Sequence, residues 1–170
     1  TGNTRIQKFG PDGRYLATIG RKGQGPGEFI LPDGLDIDRD GNLVVGDTAQ
    51  SRLHVIIGDG KDARAIILKG ERLYGVRCLA DGGYVGRAST WIYPMRGQDT
   101  PKIADLRLFR RLTPEGRITS SYGVLNDFGE TMTNALGNTT ETAVGAGGAL
   151  LVAYTVQNRI EKYGPDGRLL

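Results

Sequence analysis

The ten residues from Arg5 to Arg14, RIQKFGPDGR, return near the other end of the chain from Arg159 to Arg168 as RIEKYGPDGR. Self-similarity over such a distance marks a chain of repeated units, and the repeat length decides what those units are. Two looser copies lie between them: Arg52-Leu53-His54-Val55-Ile56 leading to Asp59-Gly60-Lys61, and Leu106-Arg107-Leu108-Phe109 leading to Pro114-Glu115-Gly116-Arg117. The turn glycines Gly13, Gly60, Gly116 and Gly167 are 47, 56 and 51 residues apart, room for one four-stranded antiparallel sheet per interval. A second turn series, Asp40-Gly41-Asn42, Asp81-Gly82-Gly83 and Gly147-Gly148, interleaves with the first and is flanked by β-rich runs.

Each unit therefore reads strand, tight turn, strand, loop, strand, tight turn, strand. Gly41 to Gly60 and Gly148 to Gly167 both span 19 residues, whereas Gly82 to Gly116 spans 34. The 15 additional residues form an insertion between the second and third strands of the middle unit, across residues 89–104. Antiparallel alternation collects the tight turns at one end of the sheets and the long connections at the other. That second end holds the insertion and the crossings at residues 20–32 and 123–138, and elaborated loops on a rigid frame are where binding groups concentrate.

Composition narrows the reading further. With 27 glycines, 7 prolines and no triplet period, the chain is turn-rich rather than collagenous, and 38% hydrophobic with 24% charged residues excludes a disordered tail. No apolar run is long enough to cross a bilayer as a helix, so a soluble domain is expected. The net charge of +3 is scattered rather than blocked, a weak argument for nucleic acid. Cys78 is the single cysteine, which leaves no internal disulfide and no cysteine-rich metal site.

The stretch Gly25-Pro26-Gly27-Glu28-Phe29, Pro32, Gly34-Leu35-Asp36-Ile37-Asp38, Asp40-Gly41-Asn42-Leu43-Val44-Val45, then Asp47-Thr48 and Arg52-Leu53, resembles an NHL repeat, the unit of six-bladed β-propellers. Later units share its turns and alternation but lack its opening and its Asp-Thr step. The resemblance implies an all-β fold: a partial β-propeller of four-stranded antiparallel blades in an incomplete ring. We expect one domain over residues 1–170, with the end of a truncated blade at 1–20, a blade at 33–69, a blade at 73–123 carrying the 89–104 insertion, and a blade at 139–170. An open ring exposes sheet edges, so self-association through them is expected.

Several residues invite a chemical role. Asp36, Asp38 and Asp40, followed by Gly41 and Asp47, imitate the spacing of a calcium loop, but their flanks read as strands, which makes Asp38 and Asp40 turn residues. No cofactor is expected; a calcium site is the alternative. Alternation puts Leu35 and Ile37 on one side of an innermost strand and Asp36 on the other, toward a central channel. His54, the one histidine, sits on a third strand away from that channel and reads as packed or surface imidazole. The insertion gathers Trp91, Tyr93 and Arg96, residue types that dominate recognition energetics; folding back as a lid is the competing role. Arg21, Lys22 and Arg87 flank long loops and join them as partner-binding candidates, with no catalytic residue assigned.

Three function classes follow. The leading expectation is a non-catalytic binding or scaffold module that recognises a protein, peptide or carbohydrate through its long-loop face, as the resemblance to NHL-type propellers implies. The second is a propeller lyase or lactonase-like enzyme, whose relatives depend on several histidines and whose metal site further blades would complete. The third is an RNA-binding NHL domain, which would require a clustered basic face with stacking aromatics. The resemblance also implies a bacterial exported or lipid-anchored parent, on which these residues carry no signal of their own.

Overall fold

In the computed structural model of the chain, residues 3–90 and 102–170 are described. β1 (Ile6–Phe9) and β2 (Tyr15–Ile19) form an antiparallel pair. The crossing that follows contains a short parallel ladder of β3 (Arg21–Lys22) with β4 (Glu28–Phe29), which the turn pattern does not announce. Next comes a four-stranded antiparallel sheet of β5 (Pro32–Ile37), β6 (Leu43–Asp47), β7 (Arg52–Ile57) and β8 (Asp62–Ile67), paired strictly in chain order. A second such sheet holds β9 (Tyr74–Cys78), β10 (Tyr84–Arg87), β11 (Arg107–Leu112) and β12 (Ile118–Val124). The last comprises β13 (Thr140–Val144), β14 (Leu150–Tyr154) and β15 (Arg159–Tyr163), with a bridge from Tyr163 to Leu169.

Side-chain alternation explains how neighbouring sheets are glued. On β6, Val44 points into a core shared with the next sheet, alongside Leu53, Val55, Val76 and Leu112. Its neighbour Val45 points the other way, to Phe29 and Ile56, with Ile6 and Ile19 packed against them. Both faces of the middle strands are thus buried, which is why they read as continuous apolar runs. A third core, built on Phe109, Tyr122, Val152 and Tyr163, joins the second sheet to the third. Phe29 is wholly buried, so the Gly25 to Phe29 opening works as a plug that fastens the crossing onto the sheet of β5 to β8.

The tight turns fall where the glycine series places them. Gly116 has φ +82°, and a Cβ there would sit 2.5 Å from Ile66 Cγ2 of the preceding sheet, so this turn needs a residue that is both left-handed and bare. The crossing at 123–138 departs from an all-loop expectation by forming α1 (Thr131–Gly137). Buried asparagines stitch it down: Asn138 accepts from the Asn126 amide at 2.8 Å and donates to the Asn126 and Asn134 carbonyls, each at 2.9 Å. Two turns held by polar side chains have no apolar period to reveal them. Among the described residues no helix is long and apolar enough to cross a membrane.

Candidate functional site

The first strands of the three later sheets, β5, β9 and β13, lie side by side, and their starting ends enclose a polar cavity of about 280 Å³. Asp33, Tyr74, Arg77, Arg87 and Glu141 line it, with Thr140 and Thr142 between them. This is the long-connection end, because each first strand begins there and β10 finishes there at Arg87.

Two matched irregularities shape the cavity. Between the pairs Pro32–Asp47 and Leu35–Val45, β5 carries one residue more than β6; between Arg77–Val85 and Tyr74–Arg87, β9 carries one more than β10. The extra residue lies at Gly34 in β5 (φ +74°) and Gly75 in β9 (φ +56°), bulges of the kind that bend a strand and re-aim the adjoining side chain. Here the adjoining residues are Asp33 and Tyr74. The two bulges also touch, since a Cβ on Gly34 would lie 2.8 Å from Gly75 Cα and Val76 N.

The two arginines have different duties. Arg77 Nε donates to the Thr142 carbonyl at 3.0 Å, and its Nη1 donates to Leu35 and Val76 carbonyls at 3.4 and 3.2 Å, so it ties β9 to both neighbours. Arg87, cross-strand partner of Tyr74, lies over that ring at 5.0 Å from the centroid. Among the described residues it has only two hydrogen bonds, both from Nη1 and both long: 3.5 Å to the Ala88 carbonyl and 3.4 Å to Thr90 Oγ1. No carboxylate among them lies within 4.0 Å of its nitrogens. Burial lowers its pKa, and the charges of Asp33, Tyr74 and Glu141 oppose that loss. An arginine stays protonated near neutrality, so a cation with unused donors faces the cavity.

Beside it, Thr90 is buried and donates to the Ala135 carbonyl of α1 at 3.0 Å. The stem of the insertion is therefore pinned between the cavity and the 123–138 crossing. Trp91, Tyr93 and Arg96 lie outside the described residues.

The remaining sequence candidates scatter. Arg21 is exposed and pairs with Glu28 at 2.8 Å, lining a separate cleft near Gly60 and Lys61, and Lys22 is exposed next to it; neither shares the Arg87 cavity. Asp36 is committed to a tie between sheets rather than to the channel: Oδ2 accepts the Cys78 amide and Oδ1 its neighbour Ile37, each at 2.9 Å. Leu35 and Ile37, beside it on β5, are the exposed ones, at 52% and 56%. Asp38 folds the turn by accepting from the Asp40 and Asn42 amides and Asn42 Nδ2, while Asp40 stands exposed near Arg39. Among the described residues no group of histidine, cysteine and acidic side chains is gathered to hold a metal. His54 is fully buried, accepting the Gly27 amide at Nδ1 (3.2 Å) with its ring edge-on to Phe29. Burial depresses its pKa, with Arg52 adding to this and Asp47 opposing it. Cys78 is half-buried, and burial together with Asp36 and Asp38 pushes its thiol up to about 12, which favours the protonated form.

Comparison with known proteins fixes the fold. Residues 3–55 match a family model described as a 6-bladed beta-propeller. Three solved structures superpose over nearly the whole chain. An inactive variant of virginiamycin B lyase from Staphylococcus aureus, crystallised with quinupristin, gives a TM-score of 0.59 at 15% identity, covering 99% of this chain and 48% of its own. A putative gluconolactonase gives 0.55 at 19%, covering 98% and 47%. A protein of unknown function from Bacteroides caccae gives 0.54 at 13%, covering 98% and 57%. This is the six-bladed β-propeller fold, in part. The chain spans about half the length of the propellers it matches, and its sheets do not close into a ring. No curated protein matches the sequence. In propeller terms β5, β9 and β13, which lie side by side, are the innermost strands.

Sequence reasoning selected Arg87 but missed Asp33, Tyr74, Arg77 and Glu141. A glycine inside a strand pattern signals a bulge, and Asp33-Gly34 and Tyr74-Gly75 each carry one at the same place in the unit.

Proposed function

We propose that this chain is a non-catalytic binding module of the NHL propeller type, which recognises a protein, peptide or carbohydrate through its long-connection end. The observation that carries the reading is Arg87. It is a cation held over Tyr74 at the long-connection end, with donors that no other described residue takes up, beside the anchored stem of an insertion whose sequence contains Trp91, Tyr93 and Arg96. A guanidinium stacked on an aromatic ring at a concave site is the composition of a recognition hot spot. The test is a screen of the chain against peptide and glycan arrays, repeated with Trp91→Ala and Arg87→Met. Captured ligand lost in both variants, with unchanged thermal unfolding, supports the module. Capture indifferent to both substitutions refutes it.

The likeness to structures named as a lyase and a putative gluconolactonase favours a second reading, an enzyme acting at the same mouth. On that reading a cyclic ester or lactone placed with the chain is consumed, and Arg87→Met slows the reaction.

A further inference from the structure

The charges around the cavity have an order of their own. Arg87 presents unused N–H donors into it, Asp33 forms part of its wall, and exposed Glu141 stands at its rim. Both acids act on Arg87 electrostatically, yet neither comes within 4.0 Å of its nitrogens, whereas Arg77 beside them commits Nε and Nη1 to carbonyl oxygens. Among the described residues the Arg87 nitrogens are not sealed away without partners, so they remain open to the cavity.

This pattern discriminates among small ligands. A bare carboxylate gains Arg87 but meets the repulsion of Asp33 and Glu141, and a bare ammonium gains the acids but meets the guanidinium. A molecule with both groups on adjacent atoms gives each sign a partner, and with Arg77 on the same lining the two cations and two acids balance. We infer that the cavity binds a small zwitterion of the amino acid class, its carboxylate on Arg87 and its ammonium turned to Asp33 and Glu141. The volume of about 280 Å³ suits a ligand of that size and leaves the mouth open for a side chain. The inference rests on the reading of the long-connection end as the binding end and specifies the ligand there.

NMR titration of the whole chain with L-alanine, propionate and L-alaninamide tests it. Saturable shifts are expected for alanine, with propionate and alaninamide each weaker by at least about 10-fold, the loss of one charge-assisted contact. Arg87→Met should abolish alanine binding, and Glu141→Gln should weaken alanine while leaving propionate unchanged or tighter. Because Glu141 is exposed, that variant keeps its fold and preserves the test should Arg87→Met unfold. Propionate or alaninamide binding as tightly as alanine overturns the inference. So does alanine binding untouched by these substitutions, or no binding of alanine up to about 50 mM. If arrays still capture a peptide or glycan through Trp91 while alanine fails, the zwitterion site falls and the module stands. If alanine binds and no polymer is captured, the reverse holds.

Discussion

Single residues carry much of the first complete blade, and Asp47 is the clearest case. It is 1% exposed, and its oxygens accept from the amides of Ile30, Leu31, Ala49 and Gln50 and from Gln50 Nε2. Burial alone would raise its pKa, but the Ile30 amide, the Gln50 side chain and the other donors outweigh burial and hold it below the ordinary 3.8. A depressed carboxylate stabilises the fold above its unfolded value and loses that contribution as pH falls through the folded one. His54 is depressed from 6.5 chiefly by burial, so its contribution fades earlier, as pH drops below about 6.5. Two windows are expected in a stability-against-pH curve measured by urea unfolding. His54→Gln should flatten the slope below pH 6.5, and Asp47→Asn should flatten the acid limb below 3.8. Asp47→Asn should also lower stability at pH 7 by about 2 kcal/mol, since buried donors lose their charged acceptor. A curve unchanged in both variants would contradict these assignments.

At the scale of the element, the innermost strands show what a sequence exposes and what it hides. Hairpin turns were legible because glycine and aspartate recur from unit to unit, and a long connection between β10 and β11 because simple spacing isolates it. The asparagine-held α1 and the short β3–β4 ladder were not, since neither carries a hydrophobic period. The cavity escaped for a different reason: Asp33, Tyr74, Arg87 and Glu141 come from four strands, so no local motif contains them. Only the strand glycines betray the bulges that aim two of them. Gly34→Ala should therefore cost more than Gly41→Ala. Both have positive φ, which costs alanine about 1–2 kcal/mol, but Gly41 has open space around it whereas Gly34 lies against the Gly75 backbone. Chemical unfolding should place the Gly34 variant at least about 1 kcal/mol below the Gly41 variant, because the atoms a methyl would meet are backbone of β9, which has little room to relax. Equal losses would mean that β5 and β9 are not pressed together as described.

Across the whole molecule, stability is a sum over sheet-to-sheet interfaces, as in other repeat architectures. Each four-stranded sheet is covered on both faces through its own core, but the first and last sheets are not. The β1–β2 pair leaves Phe9, Tyr15 and Leu16 exposed at 54%, 51% and 44%, and the last sheet leaves Leu151 and Ile160 at 41% and 76%. The outer edge of β1 pairs with no strand among the described residues. An unpaired edge next to uncovered apolar side chains is a template for another strand. The 170-residue chain on its own is therefore expected to associate with itself, and the association should strengthen with salt, because apolar burial and strand pairing drive it rather than the modest net charge of +3. Sedimentation across a concentration series measures this directly. A Lys substitution on each exposed face, Leu16→Lys and Ile160→Lys, should shift the equilibrium toward monomer, since a charge on an edge sheet disfavours pairing and both sites are already solvent-exposed. A wild-type chain that stays monomeric at about 100 μM would show that these faces are tolerated by a single copy, and the stability of the fold would then have to come from the three internal cores alone.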